Sequence, residues 1–351
     1  MIRNHFLGKA LPLALFLFVF ATLSACRKDK PEQPEETPIT IGNDHGVYIT
    51  NEGNFQWGNA KVSYYDIATD NATEDLYQPA NGVALGDVCQ SMVLFNNKAY
   101  VVVNNSGKVV VVDPNTFVAT ATITGFTSPR YFLPVSNGKA YVTELSGNAV
   151  RVVDLNTHTI SGSIPSAGMT QELVLAYGKA FVTNESRAYV YVINTATDAI
   201  TDSVPVSRGG NSIVEDANGK LWVACTGGSG TSPALYRIDP QTAQVEAAFT
   251  FSNSATNPWR LRINGSNDTL YFLRGGVYRM AITDAAAPTS AFIPTDGRNL
   301  YGLGIDPNTG TLYLADAVDY VQRGVIYRYR PDGTLLGTFH AGIIPGSFCF
   351  R

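Results

Sequence analysis

The sequence predicts an all-β fold, a seven-bladed β-propeller with four-stranded blades, and three observations carry that prediction. The first is a repeat. An aromatic residue inside a short alternating strand recurs at Tyr48, Tyr100, Tyr141, Phe181, Trp222, Tyr271 and Tyr313, in steps of 52, 41, 40, 41, 49 and 42 residues. Spacing of this size is that of propeller blades. The second is a companion strand after each aromatic one, ending on Asp or Asn and then Pro or Thr, as in Asp113-Pro114-Asn115-Thr116 and Asp239-Pro240-Gln241-Thr242. Such side chains bond their own backbone or preset φ, so they close hairpins. The third is a spare strand at the end of the chain, over 342–350.

The stretch 137–164 shows one blade in miniature. Asn137-Gly138-Lys139 turns the chain into an alternating run, Glu144-Leu145-Ser146-Gly147 loops it over, and Asn156-Thr157 turns it into a strand ending at Ile164. Alternation at period two marks strands with a buried face. A unit this small cannot bury both faces alone, so it stacks on copies of itself.

From the start of the chain, residues 1–25 read as a leader. Arg3 and Lys9 precede an apolar run over 11–20, too short to span a bilayer, and Leu23-Ser24-Ala25-Cys26 follows. A cysteine directly after Leu-Ser-Ala resembles a bacterial lipobox, so cleavage before Cys26 and acylation of that residue are expected. Residues 26–42 form a tether. From Arg27 to Pro38 the chain holds charges, three prolines and no apolar side chain, so it has nothing to pack.

The propeller is expected over 43–351 as one domain, since no linker divides it. Copies two to seven each have a further strand before the aromatic one, for example 90–95, 131–135, 172–175 and 260–263. Copy one lacks it, because 40–46 is too polar and glycine-rich for an innermost strand. The C-terminal strand therefore acts as the innermost strand of blade one and closes the ring, which removes open edges. No helical period appears after the leader, so no helix is expected.

Loss of 1–25 removes Arg3, Lys9 and no acid, taking the formal charge from −4 to −6. A mildly acidic chain argues against a nucleic-acid partner. Cys89, Cys225 and Cys349 stand in unrelated contexts without metal-ligand spacing. They read as small buried residues with at most one disulfide.

Strand order assigns two faces. Innermost-to-second and third-to-fourth hairpins fall on the bottom, with the regular turns. Second-to-third loops and interblade crossovers fall on the top, which receives the irregular segments. Phe55, Trp57, Trp259, Tyr301 and Tyr320 lie there among amides and carboxylates, a lined concavity of the kind that binds ligands. Catalytic signatures are weak. His5 lies in the leader, His45 before the first blade, His158 in a bottom turn and His340 in an outer strand, so no histidine-based triad or metal cluster is expected on the top. Gly227-Gly228-Ser229-Gly230 reads as a flexible loop, since no helix follows it to hold a phosphate. Glu52, Asp87, Glu144, Glu185 and Asp316 could form an acid and base pair, or accept hydrogen bonds from an amide-rich ligand.

Several top-face stretches carry a resemblance. Asn51-Glu52-Gly53-Asn54-Phe55-Gln56, Gly86-Asp87-Val88-Cys89-Gln90-Ser91-Met92, Val103-Asn104-Asn105-Ser106, Gly125-Phe126-Thr127-Ser128-Pro129-Arg130-Tyr131, Ala315-Asp316-Ala317-Val318-Asp319-Tyr320 and Gly342-Ile343-Ile344-Pro345-Gly346 resemble the YncE-like propeller lipoproteins of Bacteroidetes. The chain is most similar to their BtuG group, strongest in blades one, two, three and seven, with 171–260 more divergent. That resemblance implies a lipid-anchored, surface-exposed outer-membrane protein that is not an enzyme, needs no cofactor or metal, and captures cobalamin for a TonB-dependent transporter. Aromatic rings would pack on the corrin face while polar side chains meet its amides. The implied contact residues are Phe55, Gln56, Trp57, Asp87, Gln90, Asn104, Asn105, Arg130, Trp259, Tyr301, Asp316 and Tyr320. Secreted propellers also include lactonases, and a third reading is a scaffold for a partner protein, because fold alone does not decide function.

Overall fold

The computed structural model describes residue 41, residues 45–252 and residues 256–351. The leader over 1–25, Cys26 and the tether over 26–42 lie outside the described residues, except for Ile41. Among the described residues the strands form seven antiparallel sheets of four strands each. Blade three runs outward from the axis as Pro129–Ser136, Lys139–Glu144, Ala149–Asp154 and Thr159–Pro165. In blade one the innermost strand is Pro345–Phe350, paired antiparallel with Gly46–Asn51 from Val47 opposite Phe350 to Asn51 opposite Pro345. The expected ring, seven four-stranded blades closed by the C-terminal strand, is the observed one.

One element departs from expectation. A short helix, Tyr77–Asn81, lies in the crossover from blade one to blade two. Five residues are too few to display a 3.6-residue period, which is why no sequence pattern announces it. Asp75 Oδ1 accepts from the Tyr77 N–H at 3.0 Å, and Gly82 ends the helix at φ 70°, a left-handed stop that glycine tolerates. Asn81 then ties it to blade two, donating to the Phe117 carbonyl at 3.0 Å and accepting from the Ala119 N–H at 2.8 Å.

The repeated aromatics explain why the blades stack. All seven, from Tyr48 to Tyr313, are buried. Apolar side chains of neighbouring blades meet in seven clusters, one at each interface. The seam joins Val47, Ile49 and Tyr65 of blade one to Tyr313, Ala315 and Ile326 of blade seven. Full burial of an apolar side chain is worth about 1.5–3 kcal/mol, so each interface contributes several such increments. The Tyr48 hydroxyl also donates to the Pro114 carbonyl at 2.7 Å, pinning blade one to a bottom turn of blade two.

Those bottom turns close as their residues dictate. Asp113 Oδ1 accepts from the N–H groups of Asn115 at 2.7 Å and Thr116 at 3.2 Å, and Asp239 Oδ1 does so for Gln241 at 2.8 Å and Thr242 at 3.4 Å. Ile41 is buried against this face, its N–H donating to the Asn115 carbonyl at 2.7 Å. Cys89, Cys225 and Cys349 are all free, and burial pushes the thiols of Cys89 and Cys225 up.

Candidate functional site

Near the top of every blade the ladder between the innermost and second strands slips. A slip of this kind is a bulge: it leaves a residue unpaired and re-aims its side chain. In each blade the residue after the first of the innermost strand drops out of the ladder. These residues are Gln90, Arg130, Gln171, Asn211, Arg260 and Tyr301, with Gly346 in blade one. Each blade therefore contributes one position to a ring around the top of the axis.

The ring side chains meet. Arg130 donates from Nε to Gln171 Oε1 at 3.0 Å and from Nη1 to Gln90 Oε1. Gln171 Nε2 passes the chain on to Glu185 Oε2 at 2.5 Å. On the far side Arg260 donates from Nη1 to the Tyr131 hydroxyl at 3.1 Å and from Nε to the Tyr301 carbonyl at 3.2 Å. Its guanidinium carbon lies 5.1 Å from the Trp259 ring centre and 5.5 Å from that of Tyr301, both within cation–π range. Burial, and then the Glu52 carboxylate, pushes the Tyr301 phenol up, so it stays protonated and donates to Glu52 Oε1 at 3.0 Å. The seventh position is left small. A Cβ on Gly346 would stand 3.3 Å from Glu52 Oε1, 3.4 Å from Tyr301 Cε1 and 3.6 Å from Arg260 Nη2.

Between these groups lies a cavity of about 160 Å³, lined by Arg130, Gln171, Asn211, Arg260 and Tyr301 with Tyr131, Glu172, Glu185 and Trp259. Arg262 and Glu172 form a doubly bonded pair at 3.0 and 3.1 Å. Both also line a second cavity of about 250 Å³, whose apolar walls include Met92, Phe132, Leu173 and Phe348.

The expected contact residues sort into three groups by what they touch. Gln90, Arg130 and Tyr301 belong to the ring, and Trp259 stands beside it, edge-on to Tyr301 at 5.6 Å. Phe55, Gln56, Trp57 and Tyr320 form an exposed rim, with Phe55 63% and Trp57 77% accessible. Tyr320 meets Tyr301 edge-on at 5.9 Å, so an aromatic line runs from the axis to the rim, and Asn54 Nδ2 clips the two rim loops together at the Tyr320 carbonyl, 2.7 Å away. Asp87, Asn104, Asn105 and Asp316 brace loops. Asp87 Oδ2 accepts from the Gln56 N–H at 2.8 Å and from Asn105 Nδ2. Asn104 Nδ2 donates to the Pro129 carbonyl at 2.9 Å, and Asp316 Oδ1 accepts from the N–H groups of Asn299 and Val318, both at 2.9 Å.

Gln171, Asn211 and Arg260 complete the ring without standing among the expected contacts. The signal that would have found them is positional: each ring side chain sits ten to twelve residues before the repeated aromatic of its blade. Among the described residues no group of three or more His, Cys, Asp or Glu gathers in metal-holding geometry.

A family model described as a domain of unknown function, DUF5074, matches residues 45–329. No curated protein matches the chain. Solved structures share the fold. A quinonprotein alcohol dehydrogenase-like protein from Bacteroides thetaiotaomicron superposes with a TM-score of 0.69 at 16% identity, over 88% of this chain and 79% of that one. A protein from Lactobacillus plantarum gives 0.70 at 14%, over 88% and 99%. A candidate 6-phosphogluconolactonase from Bacteroides uniformis gives 0.66 at 16%, over 88% and 100%. At such identities the likeness concerns the fold alone.

Proposed function

The chain belongs to the DUF5074 family, and we propose that its top face captures cobalamin or a related corrinoid, leaves it chemically unchanged, and hands it to a TonB-dependent transporter of the outer membrane. The observation that carries the reading is one surface that joins exposed aromatic rings to a polar floor. Phe55, Trp57 and Tyr320 offer flat apolar area at the rim, while Gln90, Gln171, Asn211 and Arg130 supply donors and acceptors around the axis. A corrin is broad, apolar on its faces and edged with neutral amides, so it needs both kinds of partner at once. The ring residues already hold one another, which supports a preorganised site that loses little freedom on binding.

Acylation of Cys26 would hold the protein to the outer membrane. Ile41, the described residue nearest to Cys26 in sequence, rests on the bottom face.

Isothermal titration of the mature chain with cyanocobalamin tests the reading, with a binding heat and a change in tryptophan emission expected. Absence of both at micromolar ligand would sink it. Mass spectrometry of the recovered corrinoid separates capture from turnover, because a hydrolase would return an altered molecule.

A further inference from the structure

We infer that the axial ring is an oxyanion site, built to seat the carboxylate or phosphate group of a small molecule between Arg130 and Arg260, and that it does so whatever the aromatic rim binds. Both guanidiniums line the 160 Å³ cavity, and among the described residues neither forms an ion pair with a carboxylate. Arg260 is only 7% exposed, so its guanidinium is largely withdrawn from bulk solvent. The guanidinium is held directly by a phenol, a carbonyl and two ring faces, while the carboxylates of Glu52 and Glu172 act on it only through space, without a salt-bridge contact.

On the two arginines and Gln90 the unused hydrogen-bonding capacity lies in donors. Arg130 employs Nε and Nη1, and Arg260 likewise, so both Nη2 groups keep donors to spare. Gln90 is 1% exposed, and its Nε2 has no acceptor. Spare donors in and beside a cavity that also holds the Glu172 and Glu185 carboxylates suit a group that accepts, as an oxyanion does.

The nearby carboxylates offset that charge in part, and each has a closer partner in Arg262, Tyr301 or Gln171. Glu172 is engaged by Arg262 through two bonds. Glu185 is exposed and Glu52 partly so, which leaves both to solvent screening. Arg260 holds φ 54°, a left-handed conformation that none of the other ring residues shares.

The test is a titration of the mature chain, without corrinoid, by inorganic phosphate, citrate and acetate at constant ionic strength, with sodium chloride as control. Trp259 lies against Arg260, so tryptophan emission reports occupancy locally. At least one of the three should shift the emission saturably beyond the chloride control. Phosphate against acetate and citrate tells which oxyanion is preferred. Arg130→Gln, a change at a half-buried position, should weaken the response by about tenfold or more. Arg260→Lys, which keeps the charge and loses the fork, should weaken it in the same direction. If Arg260→Lys fails to fold, Arg130→Gln still decides. The proposal falls if none of the anions outdoes chloride, or if the anion response of folded Arg130→Gln equals that of the parent. A chain that binds anions but not cyanocobalamin would uphold this site while overturning capture, and the reverse result would do the opposite.

Discussion

Arg260 of blade six donates from Nη1 to the hydroxyl of Tyr131 in blade three at 3.1 Å, joining residues 129 positions apart across the axis. The bond ties together two blades that share no interface. Tyr131→Phe removes the acceptor and leaves a buried cationic donor unmet, at a cost of about 1–3 kcal/mol. Urea unfolding of the two proteins measures it. An unchanged midpoint would mean that Arg260 finds another partner.

The exposed rim should behave in the opposite way. Phe55 and Trp57 are largely accessible. Phe55→Ala and Trp57→Ala should therefore alter stability by no more than about 0.5 kcal/mol. Each should weaken cyanocobalamin binding by roughly tenfold, as for aromatic anchors of a binding surface. Calorimetric titration checks the second effect and thermal melting the first.

Ring closure makes the C-terminus indispensable. Deleting residues 345–351 strips blade one of its innermost strand and bares the inner edge of Gly46–Asn51. The truncated chain should lose its cooperative unfolding transition and aggregate, measurable by circular dichroism and size-exclusion chromatography. A monodisperse truncated chain with a native melt would show that the other six blades suffice.

His158 gives a pH dependence with a definite sign. Partial burial, reinforced by Lys98, holds its imidazole below the ordinary value of 6.5. Lys98 Nζ stands 3.4 Å from His158 Nε2. The folded state binds this proton less readily than the unfolded chain, so the contribution to stability is full above 6.5 and declines as the pH falls below it. His158 sits at φ 53°, which Asn also tolerates, so His158→Asn should keep the turn. Melting temperatures taken from neutral to mildly acidic pH should fall less for the variant than for the parent.

Acylation is checked directly. In cells fed radiolabelled palmitate the parent chain should carry label in the membrane fraction, and Cys26→Ala should be unlabelled and released. Label retained by Cys26→Ala would overturn anchorage at that residue.

Most of the architecture was legible because it is written locally. The aromatic of each second strand, the Asp113 and Asp239 turns and the unpaired strand at the C-terminus are patterns a few residues long, repeated often enough to fix a period. The helix Tyr77–Asn81 is a single instance below the length at which periodicity shows. At the site, Arg130 and Tyr301 stand among the expected contacts, whereas Arg260 does not, although it holds the same position in its blade. A bulge is defined by the pairing of two strands rather than by the composition of either, so alternation alone does not mark it. Asn104 and Asp316 show the converse: polar residues of a top-face loop can be engaged by the backbone of neighbouring segments.

The bulge that recurs in all seven blades has a consequence for how such proteins diversify. An unpaired residue is free of the alternation that constrains its neighbours, so its side chain can change without disturbing the sheet beneath it. Seven such positions stand around one axis, one per repeat, here Gly, Gln, Arg, Gln, Asn, Arg and Tyr from blade one to blade seven. Substitutions at those positions would change the lining of the top face while leaving the sheets in place. The single glycine leaves the ring one position without a side chain, beside Glu52, Tyr301 and Arg260.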